Sequence, residues 1–78
     1  PLVVSIKDDG TLYLQETEMP PEQLIPRLQA ISNANPGVRI FVRGDAAVAY
    51  GDVLGVMGRI QAAGFERVAL VARLPEQG

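Results

Sequence analysis

The sequence predicts an α+β fold: a two-layer sandwich in the order ββαβαβ, with a mixed four-stranded sheet and two helices on one face. Three observations lead there. Four segments alternate apolar and polar residues with the period of two that marks a strand with one buried side. Two segments between them repeat apolar residues at the i, i+3/i+4, i+7 spacing of an amphipathic helix. Asp, Gly or Pro punctuates each junction. Because all four strands are only half apolar, one sheet face is covered and the other is open. Both helices then lie on the same side, which right-handed crossovers allow if the strand order keeps progressing in one direction.

Residues 2–7 set Leu2, Val4 and Ile6 against Val3, Ser5 and Lys7. Asp8-Asp9-Gly10 is a hairpin signal, and residues 11–15 return with Leu12 and Leu14 inward and Tyr13 outward. Glu16-Thr17-Glu18 reads as a solvated loop or a frayed strand end. Pro20-Pro21-Glu22 opens the first helix, with proline suited to the first turn and Glu22 to the positive end of the dipole. Leu24, Leu28 and Ile31 form its buried stripe. Pro26 is awkward there, since an interior proline removes a backbone bond at a cost of about 3 kcal/mol; the helix either starts late or kinks.

Asn35-Pro36-Gly37 turns the chain into residues 38–43, where Val38, Ile40 and Val42 oppose Arg39, Phe41 and Arg43. Gly44-Asp45 ends this strand, a small-residue loop containing Val48 follows, and a helix restarts at Tyr50-Gly51-Asp52. Its expected stripe is Val53, Leu54, Met57, Ile60 and Gln61. Gly64 supplies the left-handed stop, with Phe65 folding back on the last turn. Residues 67–73 form the last strand, and 75–78 a ragged tail.

Composition excludes more than it assigns. Seventy-eight residues make one small domain, which buries only about 60% of the surface its unfolded chain exposes. Without cysteine there is no disulfide to staple it, so helix packing or a homodimer is expected to supply the rest. A net charge of −2, with six arginines and one lysine scattered along the chain, argues against nucleic acid as a partner. The absence of histidine and cysteine removes Cys-His and Ser-His-Asp catalysis and ordinary zinc sites. The turn after Val42 offers only Gly44 and then Asp45, whose charge repels phosphate. No catalytic residue, cofactor or metal is therefore expected. Asp45 and Asp52 read as a loop-bonding group and a helix N-terminal charge. No apolar run reaches the roughly 18 residues of a membrane span, and a chain that begins at Pro1 reads as a piece of a longer protein.

Lys7, Arg39, Arg43, Arg67 and Arg73 are expected on the open sheet face, as on any wet surface. Val3, Tyr13, Phe41 and Val71 lie among them, either as ordinary scatter or as a patch that a partner or second copy covers. Gly51, Gly55 and Gly58 fall near one helix face, where close approach to the sheet or first helix is expected, with small-residue packing between two copies as the alternative. Tyr50, at the loop–helix junction, is expected to pack its ring on the core as a latch, its hydroxyl reaching Asp45 or a loop carbonyl.

Val42, Arg43, Gly44, Asp45, Val48, Tyr50, Gly51, Val53, Val56 and Met57, followed by Ala63, Gly64, Phe65 and residues 68–71, form a spaced pattern. This pattern resembles the periplasmic domain of the ExbD/TolR family, and is closer to the TolR branch. The similarity runs over nearly the whole chain, so residues 1–78 are expected to be a single such domain. The resemblance implies a dimer in the periplasm of a Gram-negative bacterium, anchored in the inner membrane by an N-terminal helix outside this chain. That helix pairs with a TolQ- or ExbB-type channel and bears the proton-coupling aspartate. It further implies TolA and peptidoglycan as partners for TolR-like members, and TonB for ExbD-like ones. Ala49, where many relatives have proline, and Ala46-Ala47, where a charge is usual, depart from the pattern. Arg43, Gly44, Asp45, Val48, Tyr50, Gly51 and Gly64 are accordingly expected to shape the loop and helix ends. A small ligand-binding α/β domain is the other function class the element order allows.

Overall fold

The computed structural model describes residues 1–45 and 47–71. The elements are β1 (Leu2–Ile6), β2 (Leu12–Leu14), β3 (Thr17–Met19), α1 (Pro21–Ala34), β4 (Ile40–Gly44), α2 (Tyr50–Ala62) and β5 (Val68–Leu70). They form one mixed sheet in the order β3-β2-β1-β4-β5. The hairpin pairs β1–β2 and β2–β3 are antiparallel. The crossover pairs β1–β4 and β4–β5 are parallel.

The α+β class, the mixed sheet and the two helices are as expected, but the sheet has five strands. The acidic tract, expected to be a solvated loop or a frayed strand end, instead leads into a separate strand, β3. Leu14 pairs with Thr17 and Leu12 with Met19, so Gln15 and Glu16 are a two-residue turn, and Met19 is buried beside Leu12. One apolar residue at the strand's end outweighs two exposed acids, because those acids need only face water.

The core lies between one sheet face and the helices. It joins Leu2, Val4 and Ile6 of β1, Leu12 and Leu14 of β2, and Ile40 and Val42 of β4 to Leu24 and Leu28 of α1 and Val53, Val56 and Ile60 of α2. Val4 is paired with Leu14 on one side and Val42 on the other and is fully buried. Truncating a residue so enclosed costs about 2–5 kcal/mol for a leucine-sized side chain.

α1 opens where Pro20-Pro21-Glu22 predicted, whereas α2 departs in detail from its expected form. α1 does not start late: it runs from Pro21 with Pro26 inside. Pro26 is exposed, as is Glu22 four residues before it, so the carbonyl left without a donor can turn to water. The buried stripe of α2 is Val53, Val56 and Ile60, not the expected set. Leu54 is 46% exposed, Gln61 is exposed and Met57 half-buried. The helix is rotated so that Val56, and not Leu54, faces the core. Gly64 has φ +101, and its N–H donates to the Gln61 carbonyl at 3.0 Å, the left-handed stop that an L side chain resists. The expected extension of β5 to residue 73, the place of Arg73 on the open face, the tail 75–78 and Ala46 lie outside the described residues.

Candidate functional site

The loop from Arg43 to Gly51 is built on close approach at the end of β4. Gly44 stands beside Ile6 of β1, and Val48 folds back onto it. A Cβ at Gly44 would run into the Val48 side chain and lie 2.9 Å from Val53 Cγ2. The absence of a side chain is what lets the loop close over the core. Asp45 extends the parallel ladder, its N–H donating to the Ile6 carbonyl at 2.8 Å, and its own carbonyl accepts the Val48 N–H at 3.0 Å. α2 then starts without a side-chain cap, with Asp52 in its first turn, where a carboxylate favours the helix dipole.

The structure corrects two expectations for this region. Tyr50 is 65% exposed, so its ring is no latch on the core. Val48, two residues earlier in the loop, is half-buried and packs against the core instead. Among the described residues the glycines of α2 do not mark close approach either: a Cβ at Gly51, Gly55 or Gly58 would meet no atom of them within 4 Å.

The open sheet face forms as the alternation required. Val3 and Phe41 are direct cross-strand neighbours and both are half-buried. Tyr13 pairs with Ser5, and Ser5 in turn with Arg43. Val71 is 46% exposed, its N–H donating to the Val42 carbonyl at 2.9 Å. Of the four expected patch residues, Val3 and Phe41 thus touch in register, whereas Tyr13 stands beside Ser5 and Val71 lies two residues beyond Ala69, so the four form no single continuous row. A shallow trough on this face is lined by Val3, Ser5, Lys7, Tyr13, Gln15 and Arg43, among others. Lys7 Nζ stands 5.5 Å from the centroid of the Tyr13 ring, a cation–π contact.

Two participants gave no sequence signal. Gln15 holds a left-handed backbone, φ +57, and its side chain bonds β1 at Val3 and Pro1. Only an Asn or Gly at that turn would have announced it. Arg59 Nη2 donates to the Pro21 carbonyl at 3.2 Å, tying α2 to the start of α1 across 38 residues of sequence, a separation no local pattern reports. Asp45 and Asp52 line neither the trough nor the small depression between the β1–β2 turn and Pro21. Among the described residues no group of acids, histidines or cysteines could hold a metal ion, and no helix is long and apolar enough to cross a membrane.

A mixed sheet with helices on one face, an open opposite face and a glycine-closed loop after its central parallel strand defines a small two-layer α+β domain. The chain belongs to the Biopolymer transport protein ExbD/TolR family, whose sequence model matches residues 1–74. It is 34% identical over 85 residues to the Tol-Pal system protein TolR of Pseudomonas aeruginosa, covering 95% of this chain and 58% of that protein. It is 39% identical over 72 residues to the Biopolymer transport protein ExbD of Pseudomonas putida, covering 91% of this chain and 51% of that protein. With ExbD of Escherichia coli K12 the identity is 28% over 71 residues, covering 91% of this chain and 50% of the relative. The chain thus spans about half the length of the curated relatives it matches. The family is one of transport components and not a known enzyme family.

Proposed function

We propose that residues 1–78 are a single periplasmic domain of an inner-membrane-anchored, TolR-like component of a proton-motive-force-driven envelope motor of the Tol-Pal type in a Gram-negative bacterium. It acts by forming a homodimer and binding peptidoglycan or a partner protein of TolA type, and performs no reaction itself. The anchor, and with it contact to a TolQ- or ExbB-type channel subunit, belongs to sequence outside these residues. The observation that supports this most is the family match over residues 1–74 on a domain whose chemistry is concentrated on an open sheet face. Such a face, and the short edge strands β3 and β5 beside it, suit docking.

Sedimentation with purified peptidoglycan sacculi, together with light scattering across a concentration series, tests the reading. Retention by sacculi and a mass that doubles with concentration are expected. A chain that stays monomeric at high micromolar concentration and remains in the supernatant would sink it. A second reading, an ExbD-like subunit of a TonB energising complex, is favoured by the higher identity to the Pseudomonas putida ExbD. Pull-down with TolA-type and TonB-type periplasmic domains side by side separates the two.

A further inference from the structure

The open sheet face is basic on a chain whose net charge is −2. Alternation places Lys7, Arg39, Arg43 and Arg67 on it, four of the seven lysines and arginines in the sequence. They are not evenly spread. The Arg67 carbonyl accepts the Ile40 N–H and the Arg39 carbonyl the Leu2 N–H, so Arg39 and Arg67 lie side by side where β4 and β5 begin. Arg43 and Lys7 lie at the opposite ends of β4 and β1. Between the two basic ends runs an apolar waist, Val3 on β1, Phe41 on β4 and Ala69 on β5, joined in direct register. Glu18, beside Tyr13, and Glu16 place acid at the β3 margin, and Asp45, which carries the β4 ladder one residue past Gly44, places one acid at the Lys7 end.

We propose that this face docks an amphipathic helix of a partner protein, with an apolar stripe flanked at both ends by aspartate or glutamate. The proposal rests on reading the chain as a docking domain and names the chemistry of what docks. The dimensions agree. Two strand spacings from β1 to β5 are about 10 Å, the width of one helix with its side chains. Arg39 and Arg43 are four strand residues apart, about 13 Å, the rise of roughly nine helical residues. Nine residues would leave the two acids half a turn out of phase, so the acids of the partner should be about seven or eleven residues apart, roughly 10 or 16 Å, which keeps both on the face that bears the apolar stripe. Glu16 and Glu18 repel such a helix from the β2–β3 half, which confines it to the β1–β4–β5 strip.

The test is a titration of the isotope-labelled chain with a synthetic amphipathic peptide of about 18 residues, roughly 27 Å as a helix, bearing glutamates at either spacing. A scrambled peptide of the same composition and one with lysine for glutamate serve as controls. Saturable shifts at the amides of Val3, Phe41 and Ala69 are expected. Arg39→Glu with Arg43→Glu should weaken binding about tenfold or more, as should added salt. Both arginines are exposed, and Arg39→Ala with Arg43→Ala repeats the comparison with a milder change if the reversed pair fails to fold. No binding, equal binding of either control, or shifts confined to α1, α2 or the sheet edges would overturn the proposal. So would the same amides shifting on concentration of the chain alone, which assigns the face to a second copy, or with soluble muropeptides only, which assigns it to wall glycan. Sacculi sedimentation of the same variants keeps the two readings apart. Retention there with no peptide binding removes this inference alone, whereas loss of both removes the docking reading as well.

Discussion

Gln15 closes its pairing with Val3 from two sides. Its backbone N–H donates to the Val3 carbonyl at 2.8 Å, and its side-chain Oε1 accepts the Val3 N–H at 3.1 Å. In a regular antiparallel pair the second bond would go to the residue's own carbonyl. At φ +57 the backbone has begun to turn into β3, and the amide oxygen takes over that role. The side chain also donates from Nε2 to the Pro1 carbonyl at 3.4 Å, so one residue both makes the turn and anchors the start of β1.

Gln15→Ala keeps the unfavourable left-handed backbone and loses the side-chain bonds, while Gln15→Gly loses the bonds but relaxes the backbone. Alanine is expected to cost about 1.5–3 kcal/mol, and glycine about 1 kcal/mol less than alanine. Urea unfolding of the two variants decides it: equal midpoints would mean that backbone strain at this turn is negligible.

Gly44→Ala places a methyl group against two β-branched side chains, Val48 and Val53. Both are stiff about χ1 and half-buried or buried, so the loop must open or the helix shift, at about 1–3 kcal/mol. Adding Val48→Ala to Gly44→Ala should recover part of that loss, although Val48→Ala alone destabilises. A thermal-melt double-mutant cycle with no coupling between the sites would refute the contact.

The alternation that made Val3, Tyr13 and Phe41 an open face, and Leu2, Val4 and Ile6 a core, was legible because a strand's period of two leaves no intermediate choice of side. A helix allows one. Leu54, Val56 and Met57 are equally apolar, and only the contact of α2 with β4 and β5 decides that Val56 turns inward and Leu54 outward. The same rotation carries Tyr50 out into solvent, which no reading of the loop alone could supply. β3 was hidden because Gln15-Glu16 lacks the Asn-Gly or Asp-Gly chemistry that usually marks a two-residue turn. Its turn depends on bonds to β1, twelve and fourteen residues away. For the open face, sequence supplied the residues, and register supplied their grouping into two basic ends and an apolar waist.

The β1–β2 turn should leave a mark on the acid limb of stability. Asp9 Oδ1 accepts the Thr11 N–H at 2.9 Å, and hydrogen bonding from Thr11, through its side chain first and its backbone second, holds the carboxyl below its ordinary value of 3.8. A folded pKa lower than the unfolded one gives stability that is present in full above the unfolded value and is lost as pH falls through the folded value. Asp9→Asn has no charge to lose. The difference in melting temperature between wild type and Asp9→Asn should therefore shrink as pH is lowered from about 5 to about 2. A difference that stays constant over that range would remove the carboxylate's role.

Gly55 and Gly58 lie within α2 on its exposed side, with open space where a Cβ would be. Glycine in a helix interior costs up to about 1 kcal/mol relative to alanine because more backbone freedom is lost on folding. Among the described residues no contact offsets that cost. Gly55→Ala and Gly58→Ala should each raise stability by about 0.5–1 kcal/mol, and the pair should be additive within a few tenths because neither side chain has a shared partner. Thermal melts at low micromolar concentration measure the isolated domain. If alanine stabilises there but weakens self-association in light scattering at high concentration, the glycines are kept for a second copy packed against α2. Stabilisation with no effect on association would instead leave the outer face of this helix free of any such contact, and a loss of stability at low concentration would contradict the open space itself.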